Sequence, residues 1–157
     1  MAIEVTVAGL ALDEKTKSPI IVLKDETGNN VLPIVIGIME ASSIAAQLEG
    51  VDFPRPMTHD LLAQTIQKLG ATVDRIEITD IINDTFYANI HLAAGDQAYI
   101  LDARPSDSIA LALRMNARIL VDEEVFVKTS KREDATGHEE SQALENLEDD
   151  DFGKYKM

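Results

Sequence analysis

The sequence predicts an α+β domain made of duplicated strand-strand-strand-helix units, with layered sheets packed around central apolar helices. Three observations carry this reading. Short β-rich runs alternate with small-residue helical stretches. The order of these elements recurs at an offset of 65 residues. Both repeat helices are apolar nearly all round, a pattern that places a helix inside a domain. A chain of 157 residues can bury roughly 68–70% of its unfolded surface around one such core.

The elements follow in order. Ile3, Val5 and Val7 alternate with polar neighbours at the start of a strand that runs to Leu12. Pro19 to Leu23 and Val31 to Ile36 are β-rich runs, and the turn cluster Asp25-Glu26-Thr27-Gly28-Asn29-Asn30 joins them as a hairpin. A small-residue helix from Ile38 to Leu48 ends at Gly50, a residue suited to a left-handed helix terminus. Thr58 is placed to cap a second helix, Leu61 to Leu69, whose apolar stripe is Leu62, Ile66 and Leu69.

The pattern then repeats. Val73 to Ile82, Thr85 to Leu92 and Ala98 to Leu101 read as strands, followed by a helix from about Ser106 to Met115 and a short strand from Arg118 to Val121. Ser43 to Leu48 matches Ser108 to Leu113 in four of six residues, and the same offset superposes two strands of each unit. The shared register is the stronger argument. Residues 1–127 form the expected domain, and residues 128–157 an acidic, loosely ordered tail with a weak helix near Ser141 to Leu147.

Composition removes several function classes. The chain has no cysteine, which excludes a disulfide framework, a thiolate metal site and a cysteine nucleophile. No apolar run approaches the ~20 residues of a membrane span, so a cytoplasmic protein without membrane contact is expected. Net charge is −14, of which residues 1–127 carry −10. The body of the chain is itself acidic, and such a surface repels polyanions. Glycine-rich phosphate loops, dinucleotide fingerprints and paired-histidine zinc motifs are absent.

Two segments concentrate polar chemistry. Asp102-Ala103-Arg104-Pro105-Ser106-Asp107-Ser108 lies where a strand hands over to an apolar helix. Asp102 and Arg104, two apart, are expected on the same side of an extended chain. Ser106 and Asp107 fall at the helix start, where backbone N–H groups attract anions. In Pro54-Arg55-Pro56-Met57-Thr58-His59-Asp60, an imidazole beside a carboxylate suits proton transfer near neutral pH. Read from the residues alone, helix capping and local ion pairing are the stronger account of both segments. Glu40 opens the first repeat helix near the place Asp107 holds in the second, and duplication would bring the two helix starts together. Asp80 and Asp84 read as turn residues, and His91 as a packed or surface residue.

Met57 to Leu62, together with the run from Asp102 to Arg114, strongly resembles the bifunctional nuclease domain family of bacteria and plants. Val7-Ala8-Gly9-Leu10, Val31-Leu32-Pro33-Ile34, Leu48-Glu49-Gly50-Val51 and the closing Asp151 to Met157 are similar to members of that family as well. The similarity covers about residues 2–127. It implies an α+β domain, commonly a homo-oligomer, for which hydrolysis of both DNA and RNA is claimed.

On that resemblance the expected function is phosphodiester hydrolysis with little sequence preference. His59, Asp60, Asp102 and Asp107 are the candidate catalytic groups, and Arg55, Arg104 and Ser106 the candidate phosphate contacts. Asp102, Asp107 and Glu40 would hold Mg²⁺ or Mn²⁺. The competing expectation is a non-enzymatic oligomeric interaction or regulatory domain. Carboxylate placement separates the two: convergence on one cleft favours the enzyme, and local pairing with arginines favours the scaffold.

Overall fold

The computed structural model describes residues 1–136, and the helix expected near Ser141 to Leu147 lies outside them. Eleven elements follow one another: β1 (Ala2–Leu12), β2 (Pro19–Asp25), β3 (Val31–Val35), α1 (Ile38–Leu48), α2 (Thr58–Lys68), β4 (Thr72–Ile82), β5 (Thr85–Ala94), β6 (Gln97–Ala103), α3 (Pro105–Met115), β7 (Arg118–Asp122) and α4 (Glu123–Thr136). The fold is α+β. The order β-β-β-α occurs twice, with α2 between the two occurrences.

All seven strands belong to one sheet in the order β3-β2-β1-β7-β4-β5-β6. Strand β7 is antiparallel to β1 and parallel to β4, so it seals the two antiparallel three-strand sets together. The sets therefore run outward from β7 in opposite senses, leaving β3 and β6 as edges. One sheet face is the core face. Register places Val5 beside Ile119, Ile119 beside Ile76, and Ile76 beside Ile90, and all four are buried. Branched side chains at period two pack this face against the helices.

The two repeat helices differ from the expectation of equal burial. Helix α3 buries seven residues, including Ile109 and Leu111 at 0% exposure. Helix α1 buries four and leaves Ile38 and Met39 at 64% and 75% exposure. Helix α3 lies against both α1 and α2 as well as β4, β5 and β7, whereas α1 meets chiefly α3 and β2. Alanines at the α1–α3 contact let the helices approach closely enough to bury Ile44 and Ile109 completely.

Two local expectations are corrected. Thr58 is the first residue inside α2, and Met57 is its cap. The capping bond runs backwards from inside the helix: the Asp60 carboxylate accepts the Met57 N–H at 3.0 Å. Ordered structure also continues past Lys128, because α4 runs on to Thr136. Val125 and Phe126 anchor that helix in the core, and Lys128 pairs with Asp80 on β4 at 2.6 Å.

Candidate functional site

The start of α3 is fixed by its own sequence. Arg104 caps it in extended conformation, and Pro105 occupies the first helical position, where a missing N–H costs nothing. Asp107 falls in the first turn, where the helix dipole favours negative charge. The start of α1 lies alongside. Arg104 joins the two: its Nε donates to Asp107 Oδ2 at 2.8 Å and its Nη1 to Glu40 Oε1 at 2.9 Å. The repeat helices thus meet, start to start, through one guanidinium whose side chain is 64% exposed.

The chain of contacts continues inward to α2. The second Asp107 oxygen, Oδ1, lies 2.9 Å from His59 Nε2, and His59 Nδ1 lies 2.7 Å from Ser43 Oγ on α1. Burial works to raise the Asp107 carboxyl, but hydrogen bonds from Arg104 and His59, with the Arg104 charge, hold it below the ordinary carboxylate range. An ionised Asp107 requires a proton on Nε2. In the neutral imidazole, Nδ1 then accepts the Ser43 hydroxyl proton, a tautomer assigned from its partners. His59 is 12% exposed and held from both sides.

A second arginine ties the same helices together. Arg114, 6% exposed, donates Nε to Asp60 Oδ1 at 2.6 Å, Nη2 to the Ser43 carbonyl at 3.1 Å and Nη1 to the Ala110 carbonyl at 2.9 Å. Burial opposes ionisation of Asp60, and the Arg114 bond together with the Met57 N–H outweighs it, so this carboxyl also titrates low. A cleft of about 300 Å³ opens beside this pair, lined by Gln47, Asp52, Phe53, Gln64 and the prolines of the 54–56 loop.

The side chains of the remaining candidates make no hydrogen bond or ion pair with this network. Asp102 is exposed on β6 opposite Asn89. Ala103 and Leu101 share the core face with Ala88 and Ile90, so alternation puts Asp102 on the other face of the sheet. Arg104 pairs with Asp107 and Glu40 and makes no ion pair with Asp102. Ser106 is buried at 6% exposure. Arg55 is exposed in the loop between α1 and α2.

Sequence reasoning missed Ser43 and Arg114. The repeat carried a signal for the serine, which is the counterpart of Ser108. Ser108 spends its hydroxyl on the Arg104 carbonyl of its own helix, at 2.9 Å, and Ser43 turns to the imidazole instead. Arg114 lay within the quoted motif and gave no separate signal.

Among the described residues no three His, Asp or Glu side chains gather as metal ligands. Glu40 and Asp107 face each other across Arg104, and Asp60 is held by Arg114. As arranged, this donor set does not fit a divalent cation, because the guanidinium occupies the position between the carboxylates.

A sequence profile of the bifunctional nuclease domain matches residues 21–134. An uncharacterized protein of Mycobacterium tuberculosis is 39% identical over 125 residues, covering 80% of this chain and 74% of that protein. Bifunctional nuclease 1 of Oryza sativa subsp. japonica is 28% identical over 120 residues, 74% of this chain and 36% of the rice protein. Bifunctional nuclease 2 of Arabidopsis thaliana is 30% identical over 105 residues, 64% of this chain and 32% of the other. The chain thus spans about a third of the plant proteins. All the groups just described, from Glu40 to Arg114, fall inside the matched segment, and this chain belongs to the bifunctional nuclease domain family.

Proposed function

We propose that this domain hydrolyses phosphodiester bonds of DNA and RNA with little sequence preference. The observation that carries the proposal is the linkage of an exposed Arg104 to the His59 imidazole through Asp107. An exposed guanidinium suits a phosphodiester oxygen, and an imidazole held in one tautomer suits proton transfer. Membership of a family with relatives named bifunctional nucleases supports the same reading. Arg55 would add a second phosphate contact from the 54–56 loop. Asp60 acts by holding Arg114 and the start of α2, which positions His59.

The acidic surface sets the expected behaviour. A chain of net charge −14 attracts nucleic acid poorly, so affinity is modest and falls further with salt. No step is assigned to Mg²⁺ or Mn²⁺, since a cation between Glu40 and Asp107 would have to displace Arg104.

One observation favours a second reading, an oligomeric interaction or regulatory domain without catalysis: Glu40, Asp107 and Asp60 each have an arginine partner. Cleavage of labelled single- and double-stranded DNA and RNA separates the two, run with Mg²⁺, Mn²⁺ or EDTA on wild type, His59→Ala and Asp102→Asn. Hydrolysis is expected to fall by about 10²–10⁴ in His59→Ala and to persist in Asp102→Asn, which lies outside the network. Equal rates in all three preparations mark a contaminating nuclease and overturn the proposal. Absence of cleavage in all three selects the second reading. Loss of wild-type activity in EDTA alone would show that hydrolysis needs a divalent cation.

A further inference from the structure

A serine inside a helix commonly turns its hydroxyl back onto the carbonyl one turn earlier. Ser42 does so on α1, donating to the Ile38 carbonyl at 2.9 Å. Ser108, fully buried on α3, does the same with the Arg104 carbonyl. Ser43, the repeat counterpart of Ser108, departs from this pattern. Its Oγ turns to His59 Nδ1 at 2.7 Å, and the residue is only partly buried. Both nitrogens of the His59 ring are thereby committed. Nε2 keeps its proton on the Asp107 carboxylate, 2.9 Å away, and Nδ1 faces the Ser43 hydroxyl. The proton within reach of the unprotonated ring nitrogen is therefore the serine's. A hydroxyl, a base and a group that orients the base stand within hydrogen-bond reach of one another, as covalent catalysis requires.

Resting on the phosphodiester reading above, we propose that Ser43 is the attacking nucleophile and that hydrolysis passes through a phosphoserine ester. Ser43 Oγ forms a bond to phosphorus as its proton passes to His59 Nδ1. The bond from phosphorus to one ester oxygen breaks, and that oxygen leaves as an alcohol carrying the proton from Nδ1. Water then attacks the phosphoserine diester and gives a proton to Nδ1. The serine oxygen leaves, takes that proton back and releases a phosphate monoester. Asp107 faces the imidazolium that forms in each step and offsets its charge. Arg104 shares that carboxylate, and its exposed guanidinium suits a non-bridging oxygen of the substrate. The hydroxyls of Ser42 and Ser108 are spent on their own helices. Of the two repeat serines, the one that meets His59 is the one activated.

A fluorophosphonate, with an electrophilic phosphorus and a fluoride leaving group, tests the first step on the full chain without nucleic acid. Intact-mass and peptide analysis should show one adduct, on Ser43. Labelling should fall at least about 100-fold in Ser43→Ala and His59→Ala, with circular dichroism reporting that both are folded. Oligonucleotide cleavage by Ser43→Ala should fall at least about 10³-fold. Because the chain has no cysteine, an introduced thiol gives a second measurement. Alkylation of Ser42→Cys should slow about tenfold per pH unit below about 8.5, the ordinary thiol value. Alkylation of Ser43→Cys should stay level down to about pH 6.5, because the imidazole takes the thiol proton. Labelling that is absent while wild type cleaves, or undiminished in Ser43→Ala, overturns Ser43 as nucleophile and leaves the hydrolytic reading in place. So does a Ser43→Cys profile as steep as that of Ser42→Cys. Labelling of Ser43 without cleavage by any preparation supports the nucleophile and overturns nucleic acid as its substrate. Absence of both labelling and cleavage overturns both.

Discussion

Helices α1 and α3 hold matching places in the two halves of the domain, yet one has a solvent side and the other is enclosed. Helix α3 is wedged between α1, α2 and the centre of the sheet, and its apolar residues are nearly all buried. Helix α1 meets chiefly α3 and β2, which leaves Ile38 and Met39 in solvent. Near-identical local patterns therefore produce different burial, because the third helix covers one repeat and not the other. The chemistry follows the same asymmetry. The first half contributes Glu40 and Ser43, and the second contributes Arg104, Asp107 and Arg114. The network exists only where α2 brings His59 and Asp60 between them.

The comparison can be broken most sharply in the core. Ile44 and Ile109 are repeat counterparts, each at 0% exposure. Truncation to alanine is expected to cost about 2–5 kcal/mol at either site, with Ile109→Ala the costlier, because α3 is enclosed on more sides and collapses less readily onto a cavity. Urea unfolding of both variants measures this. A larger loss for Ile44→Ala would show that the exposed side of α1 is covered in solution.

An intermediate effect is expected on acidification. Asp107 and Asp60 titrate below their unfolded values, so the unfolded chain binds protons first as pH falls. Their contribution is full above the ordinary carboxylate range and is lost from about pH 4 downward. Unfolding free energies between pH 6 and 3 should fall less steeply in Asp107→Asn than in wild type. An unchanged slope would mean that the Arg104 and His59 bonds are not made in solution.

The smallest effects lie at the helix ends. Both repeat helices close on a left-handed residue, Gly50 at φ 66° and Asn116 at φ 50°. Nothing lies within 4 Å of a methyl group added at Gly50, so Gly50→Ala tests the backbone alone and should cost about 1–2 kcal/mol. Asparagine already tolerates this conformation, and Asn116→Gly should change stability by no more than about 0.5 kcal/mol. Thermal melts of the two variants side by side measure the difference.

The sequence by itself determined every strand and three of the four helices to within a few residues, because periods of 2 and 3.6, turn residues and terminal glycine or asparagine are local properties of the chain. It also placed His59, Glu40, Arg104 and Asp107 among the residues to watch, and the recurrence at 65 residues pointed to the meeting of the two helix starts. The fourth helix escaped, since residues 128–136 are polar and Val125 and Phe126 become an anchor only when the core exists to receive them. Tertiary structure alone decided the partners. Arg104 reaches Glu40 across 64 residues instead of Asp102 two positions away, because the packing of the two repeat helices sets Glu40 beside the start of α3. Ser43 meets His59, and Arg114 meets Asp60, through the crossing of three helices. Strand β6 became an edge through sheet order. Elements form from neighbours in sequence, whereas pairings and edges form from neighbours in space.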